Sequence, residues 1–126
     1  MAIDSNLYTI PGLKAEKDLS SHQFKAMELS GAFQVDLPDS AADIVVGILQ
    51  NKPAAAGRAA EVRQFGITKW KAGATITVGA RVGTTSAGLA VVKTANNDWF
   101  NGIALSAGDN GEIVEVLLTG GGYFGT

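Results

Sequence analysis

The 126-residue sequence contains no cysteine and a single histidine. The missing thiols exclude disulfide bridges, thiolate metal sites and cysteine nucleophiles together. The lone histidine, His22, stands among Ser20, Ser21 and Gln23. It lacks the further ligands of a zinc site and the partners of a histidine-based triad, so it reads as a polar turn residue. No apolar run approaches the roughly 18 residues needed to cross a bilayer. The opening MAIDSNLYTIPGLKAEKD lacks the basic region and apolar run of a signal peptide. These absences predict a protein made in the cytoplasm with no membrane partner, no metal and no cofactor.

Hydrophobic residues make up 46% of the chain, but many are alanine, which buries little area per residue. At this length one domain with a modest core is expected, supplemented by burial between subunits. The net charge of −2 conceals a segregation along the chain. Residues 1–43 carry three cations against seven acids, residues 44–93 seven against one, and residues 94–126 none against four. Lys52, Arg58, Arg63, Lys69, Lys71, Arg81 and Lys93 are spread over strands and turns rather than clustered with aromatics, which argues against a nucleic-acid partner. The basic middle reads as a solvated face, or as a surface packing against the acidic arm of a neighbouring subunit.

Short β-branched runs cut by glycine dominate the pattern. Residues 1–18 show no period and contain Pro11-Gly12 with apolar anchors at Ile3, Leu7, Tyr8, Ile10 and Leu13, which predicts an extended N-terminal arm. Alternation over Phe24 to Leu37, reversed at Ser30-Gly31, predicts a β-hairpin. Strands are expected over Ile44–Gln50, Ala59–Lys69, Thr75–Val82, Leu89–Thr94, Trp99–Leu105 and Glu112–Thr119. Between Ala60/Val62 and Phe65/Ile67 the apolar phase changes beside Gly66, which predicts a β-bulge. The body, 19–119, therefore reads as an all-β small barrel or sandwich, followed by a flexible Gly-rich tail, 120–126.

Catalytic chemistry is poorly represented. The GGGYFG near the end satisfies G-x-G-x-x-G in form only, because no helix follows to hold a pyrophosphate. Asp36, Asp39 and Asp43 flank a Pro/Ser turn, where acids are usually solvated. No catalytic residue is assigned. Trp70 and Trp99 border polar groups and fit either a core cap or an interface anchor. Phe100 must face opposite to Trp99 in an extended segment, which leaves one of the pair for a partner. The candidate interface residues are Ile3, Leu7, Tyr8, Ile10, Trp70, Trp99, Phe100, Tyr123 and Phe124.

Four segments taken in order, DLSSHQF (Asp18 to Phe24), IVVGILQNKPAAAGRAAEV (Ile44 to Val62), FGITKWKAGATITVGARV (Phe65 to Val82) and GIALSAGDNGEIVEVLLTGGG (Gly102 to Gly122), resemble the small capsid decoration, or cement, proteins of tailed bacteriophages. The resemblance implies a β-rich structural protein of the virion. It would bind the major capsid protein on the outer capsid surface, commonly as a homotrimer, and stabilise the head without cofactor or reaction. The alternatives are a tail-tube or head-fibre component, or a small β-barrel binding a ligand or sugar through Trp70, Trp99 and Tyr123.

Overall fold

The computed structural model describes residues 8–41, 43–95 and 98–123. Its ten strands are β1 Tyr8–Ile10, β2 Lys14–Ala15, β3 Ala26–Gly31, β4 Gln34–Asp36, β5 Gly47–Leu49, β6 Val62–Lys71, β7 Arg81–Thr84, β8 Ala90–Val92, β9 Trp99–Ala104 and β10 Ile113–Tyr123. No helix forms among the described residues. The strands join in the order β2, β4, β3, β5, β6, β10, β9, β7, β8, with β1 added to β6. The protein is all-β, as the alternation predicts. The sheet stays open, so a sandwich-like β fold is observed rather than a closed barrel.

β6 is the spine. Its first residues pair with β5 (Ile48 opposite Arg63, Leu49 opposite Val62) and with β1, and its second half pairs with β10 from Gly66 to Lys71. Between the halves Gln64 is an extra residue, since Thr9 faces Arg63 while Tyr8 faces Phe65, and Gly66 adopts φ +93°. The irregularity expected near Gly66 is therefore present. Its sequence rationale needs correction: Ala60, Val62, Thr68 and Trp70 are buried, while Phe65 is 44% exposed. Phe65 is a surface residue, and the buried face keeps even positions on both sides of the bulge.

Two cores result. The first gathers Ala26, Ile48, Trp70, Ile76, Val82, Val114, Val116 and Leu118 among others; the second gathers Leu13, Ala15, Leu19, Met27, Val35, Leu49, Ala60 and Val62. Neighbouring residues of β3 and β5 divide between them, Ala26 and Ile48 to the first, Met27 and Leu49 to the second. The β3–β5 pair is thus buried on both faces, which requires apolar residues at consecutive positions. Close packing explains Gly47: a Cβ there would lie 2.2 Å from the Arg63 carbonyl oxygen.

Trp70 is fully buried, and its indole N–H donates to the Gly88 carbonyl at 2.9 Å, an oxygen that also accepts the Ala26 N–H. That bond satisfies the polar atom of the largest core side chain. The hairpin expected between Phe24 and Leu37 is formed by β3 and β4. Three segments depart from expectation. Residues 75–80 do not form a strand: Gly79 takes φ +85° and Val78 is 66% exposed, while Ile76 alone is inserted into the core. Gly120 to Tyr123 extend β10, with Gly122 opposite Phe100 and Tyr123 opposite Trp99. The arm from Tyr8 onward is built into the body: Leu13 and Ala15 are core residues, and β2 is stitched between Phe33, Val35 and Arg58 by backbone hydrogen bonds of 2.9 Å.

Candidate partner-binding surfaces

Ile3, Leu7 and Phe124 lie outside the described residues. Among the other candidates, Tyr8 stands 47% exposed on β1, and Ile10 is half-buried against the second core. Trp70 belongs to the first core, so it caps that core and offers nothing to a surface. Trp99 and Phe100 are both half-buried. The Arg81 guanidinium sits 5.5 Å from the centre of the Phe100 ring, a cation–π contact that covers this aromatic. Tyr123 is placed by its backbone opposite Trp99.

Sequence reading singled out Ile10 but missed Leu29, Phe33 and Val46, which join it at an exposed apolar surface. Ile10, Leu13, Leu29, Phe33 and Val46 line a groove of about 220 Å³. Leu29 is 54% exposed and Phe33 65%. Phe33 also holds φ +53°, a left-handed conformation that costs a non-glycine residue about 1–2 kcal/mol. The alternation of Phe33 with Val35 and Leu37 hid this, because the β3–β4 turn runs on to Phe33 and turns its ring away from the buried Val35. A second apolar surface crosses three strands, where Leu117 on β10 faces Ile67 on β6 and Ile103 on β9, with Arg81 of β7 beyond.

The acids of the Pro/Ser turn are only partly gathered. Asp36 pairs with Lys17 at 3.3 Å, whereas Asp39 and Asp43 meet Glu28 of β3, their nearest carboxylate oxygens within 4.8 Å. The Asp39 and Ser40 N–H groups donate to Asp43 Oδ2 at 2.8 and 3.0 Å. Its hydrogen bond with Glu28 and these amides hold the Asp43 carboxyl below its usual value. Burial, then the hydrogen bond and charge of Asp43, push Glu28 up to about 7. The cluster brings the turn against β3, with the Glu28 carboxyl beside that of Asp43. His22 lies 2.9 Å from the Lys25 ammonium, and burial followed by that charge lowers its pKa.

The cations of the basic middle are largely engaged within the chain. Arg63 Nη1 donates to the Ile67 carbonyl at 2.9 Å, Lys93 to that of Ala41 at 3.3 Å, and Lys69 lies 5.8 Å from the centre of the Phe24 ring. The surfaces so described are apolar, built on a rigid sheet, and carry no grouped nucleophile and base.

The family model for phage cement protein matches residues 12–119. The chain belongs to the phage cement protein family. The match spans both cores and all strands but β1 and the end of β10, and the family is one of phage structural proteins. Among solved structures the fold is similar to the head fiber gp8.5 N base of bacteriophage phi29, with a TM-score of 0.60 and 18% identity over 90% of this chain and 92% of that one. At that identity the likeness concerns the fold. No curated protein matches the sequence.

Proposed function

We propose that this cement-family chain is a virion protein that binds the outer surface of a phage capsid through the major capsid protein and stabilises the head. The observation that carries the reading is the family match over residues 12–119. The exposed apolar groove and the aliphatic row across β6, β10 and β9 support it, because contiguous apolar surface on a small protein marks contact with other protein. Many copies on a symmetric lattice hold by avidity even where one site is weak. A homotrimer is the assembly this reading expects, with no nucleic acid, membrane or cofactor taking part. Purified protein added to undecorated mature capsids should saturate at a fixed number of copies per capsid. Failure to bind either capsids or capsid subunits overturns the proposal.

A second reading is favoured by one observation, the likeness to a head fibre base. In it the chain seats a fibre on the head. Gold-labelled protein on virions separates the two: uniform decoration supports cement, and label at the feet of projecting fibres supports the base.

A further inference from the structure

Across the second half of β6, β10 and β9, residues alternate between the first core and the outer face. Thr68, Trp70, Val114, Val116 and Ala104 are buried, so Ile67, Lys69, Glu115, Leu117, Ile103 and Leu105 point outward. Ile67 lies opposite Leu117 and Leu117 opposite Ile103, an aliphatic row in which the last two are 38% and 36% exposed. Two residues along the strands Lys69 lies opposite Glu115, and Leu105 follows beyond it, its N–H bonded to the Glu115 carbonyl. Opposite charges placed in this way stabilise a sheet when they pair. Here they do not pair with each other. The Lys69 ammonium sits 5.8 Å from the centre of the Phe24 ring, and Phe24 flanks β6 on the edge away from β10, where its carbonyl accepts the Lys71 N–H. The Glu115 carboxylate has no partner among the described residues.

This face complements itself. A two-fold axis laid along the strands, midway between β6 and β10, sets β6 of one copy over β10 of another, and every contact then occurs twice. Ile67 meets Leu117 of the other copy, Lys69 meets Glu115 of that copy, and Lys71 meets its Ile113, so no like charges oppose one another. The same axis carries Leu105 over Phe24 of the other copy, where the face is hollowed by about 410 Å³ between Phe24, Arg63 and Ile67. We propose that the outer face of β6 and β10 is an isologous contact between two copies of this chain, closed by Ile67–Leu117 packing and two Lys69–Glu115 ion pairs. Four strand widths by seven residues give about 450 Å² per copy, less than the roughly 800 Å² of a stable interface, so the contact is weak in dilute solution. Under the cement reading, copies held side by side on a capsid gain from their effective concentration. An isologous contact makes pairs, so a homotrimer uses other surfaces. The contact itself needs no capsid, and its failure leaves the capsid-binding reading untouched.

The test is sedimentation equilibrium of the full chain without capsids, at rising concentration. Whether the unit at low concentration is one chain or a trimer, wild type should pair as concentration rises. Lys69→Glu and Glu115→Lys each set like charges against one another at both ion pairs and should weaken pairing about tenfold or more. An equimolar mixture of the two variants should restore it, because every cation then meets an anion across the axis. That readout is blind to the pairing of residues 69 and 115 within one chain, which stay like-charged in both variants. Leu117→Asp should abolish pairing. Should a variant fail to fold, carbodiimide cross-linking decides with wild type alone: in a mixture of unlabelled and isotope-labelled chains it should join Lys69 of one to Glu115 of the other. A wild type that pairs at no concentration, a mixture no better than its components, or absence of the mixed-isotope cross-link overturns the proposal. So does a Leu117→Asp variant that loses capsid binding while pairing is unchanged, since the face would then belong to the capsid protein.

Discussion

The two cores are built from different material. The first is enclosed by long strands, the second half of β6 and β9 and β10, and its largest side chain has its polar atom satisfied. The second is closed by β1, β2 and β4, which have only two or three residues each, and by loop hydrogen bonds. Long strands bury a contiguous face and leave little apolar surface unmatched. Short strands leave gaps, and here the gap is the groove of Leu29 and Phe33, with Glu28 of the carboxyl cluster next to Leu29 on β3. The first core is thus closed on all sides by its strands, and the second combines packing with an exposed apolar surface.

Breaking the first core should have the largest effect. Trp70→Ala removes the central ring and orphans part of the hydrogen bonding at the Gly88 carbonyl, and is expected to cost about 3–5 kcal/mol in urea unfolding. A cost below about 1 kcal/mol would show that the two cores are not so unequal. Leu13→Ala should come next, at about 2 kcal/mol, because Leu13 is 5% exposed and its site lies at an edge able to relax. No change on that substitution would mean that the arm is a separable tail.

The carboxyl cluster sharpens the contrast through pH. Glu28 is pushed up to about 7 from an ordinary 4.5, so the folded state binds its proton more tightly than the unfolded chain. Its contribution is complete below pH 4.5 and is lost as pH rises through 7. Asp43 is lowered from 3.8, so its contribution is present above that value and is lost as pH falls below it. Glu28 should therefore lower stability, measured by urea unfolding, from pH 5 to pH 8 against the opposite contribution of His22, whose lowered pKa adds stability as pH rises, and Glu28→Gln should remove the Glu28 decline. An unchanged slope in the variant would locate the dependence elsewhere. Smallest of all, Phe33→Gly relieves the left-handed strain and should leave thermal stability equal or raised by up to about 1 kcal/mol. A clear loss would show that the Phe33 ring holds the groove together.

Much of this organisation was legible in the sequence, but unevenly. Period-2 patterns identified the β3–β4 hairpin, β9 and β10, because half-buried strands of several residues alternate visibly. The second core was not legible. Ala15 sits in a strand of two residues and Leu13 just before it, where no period can be read, and they become core only through partners 20 to 47 positions away. Ile76 and Val78 looked like one strand face because their spacing is right, yet the turn at Gly79 separates a buried side chain from an exposed one. Leu29 and Phe33 fell in phase with Met27 and Val35, which are buried, yet both are exposed. Glu28 joins Asp43 only through the fold.

Capsid disruption temperature tests the central claim most directly. Mature heads depleted of this protein should disrupt at a lower temperature than native heads, and adding back the purified chain should restore the native value at the stoichiometry where binding saturates. Heads that bind the chain without any rise in disruption temperature, or that do not bind it, would contradict the account.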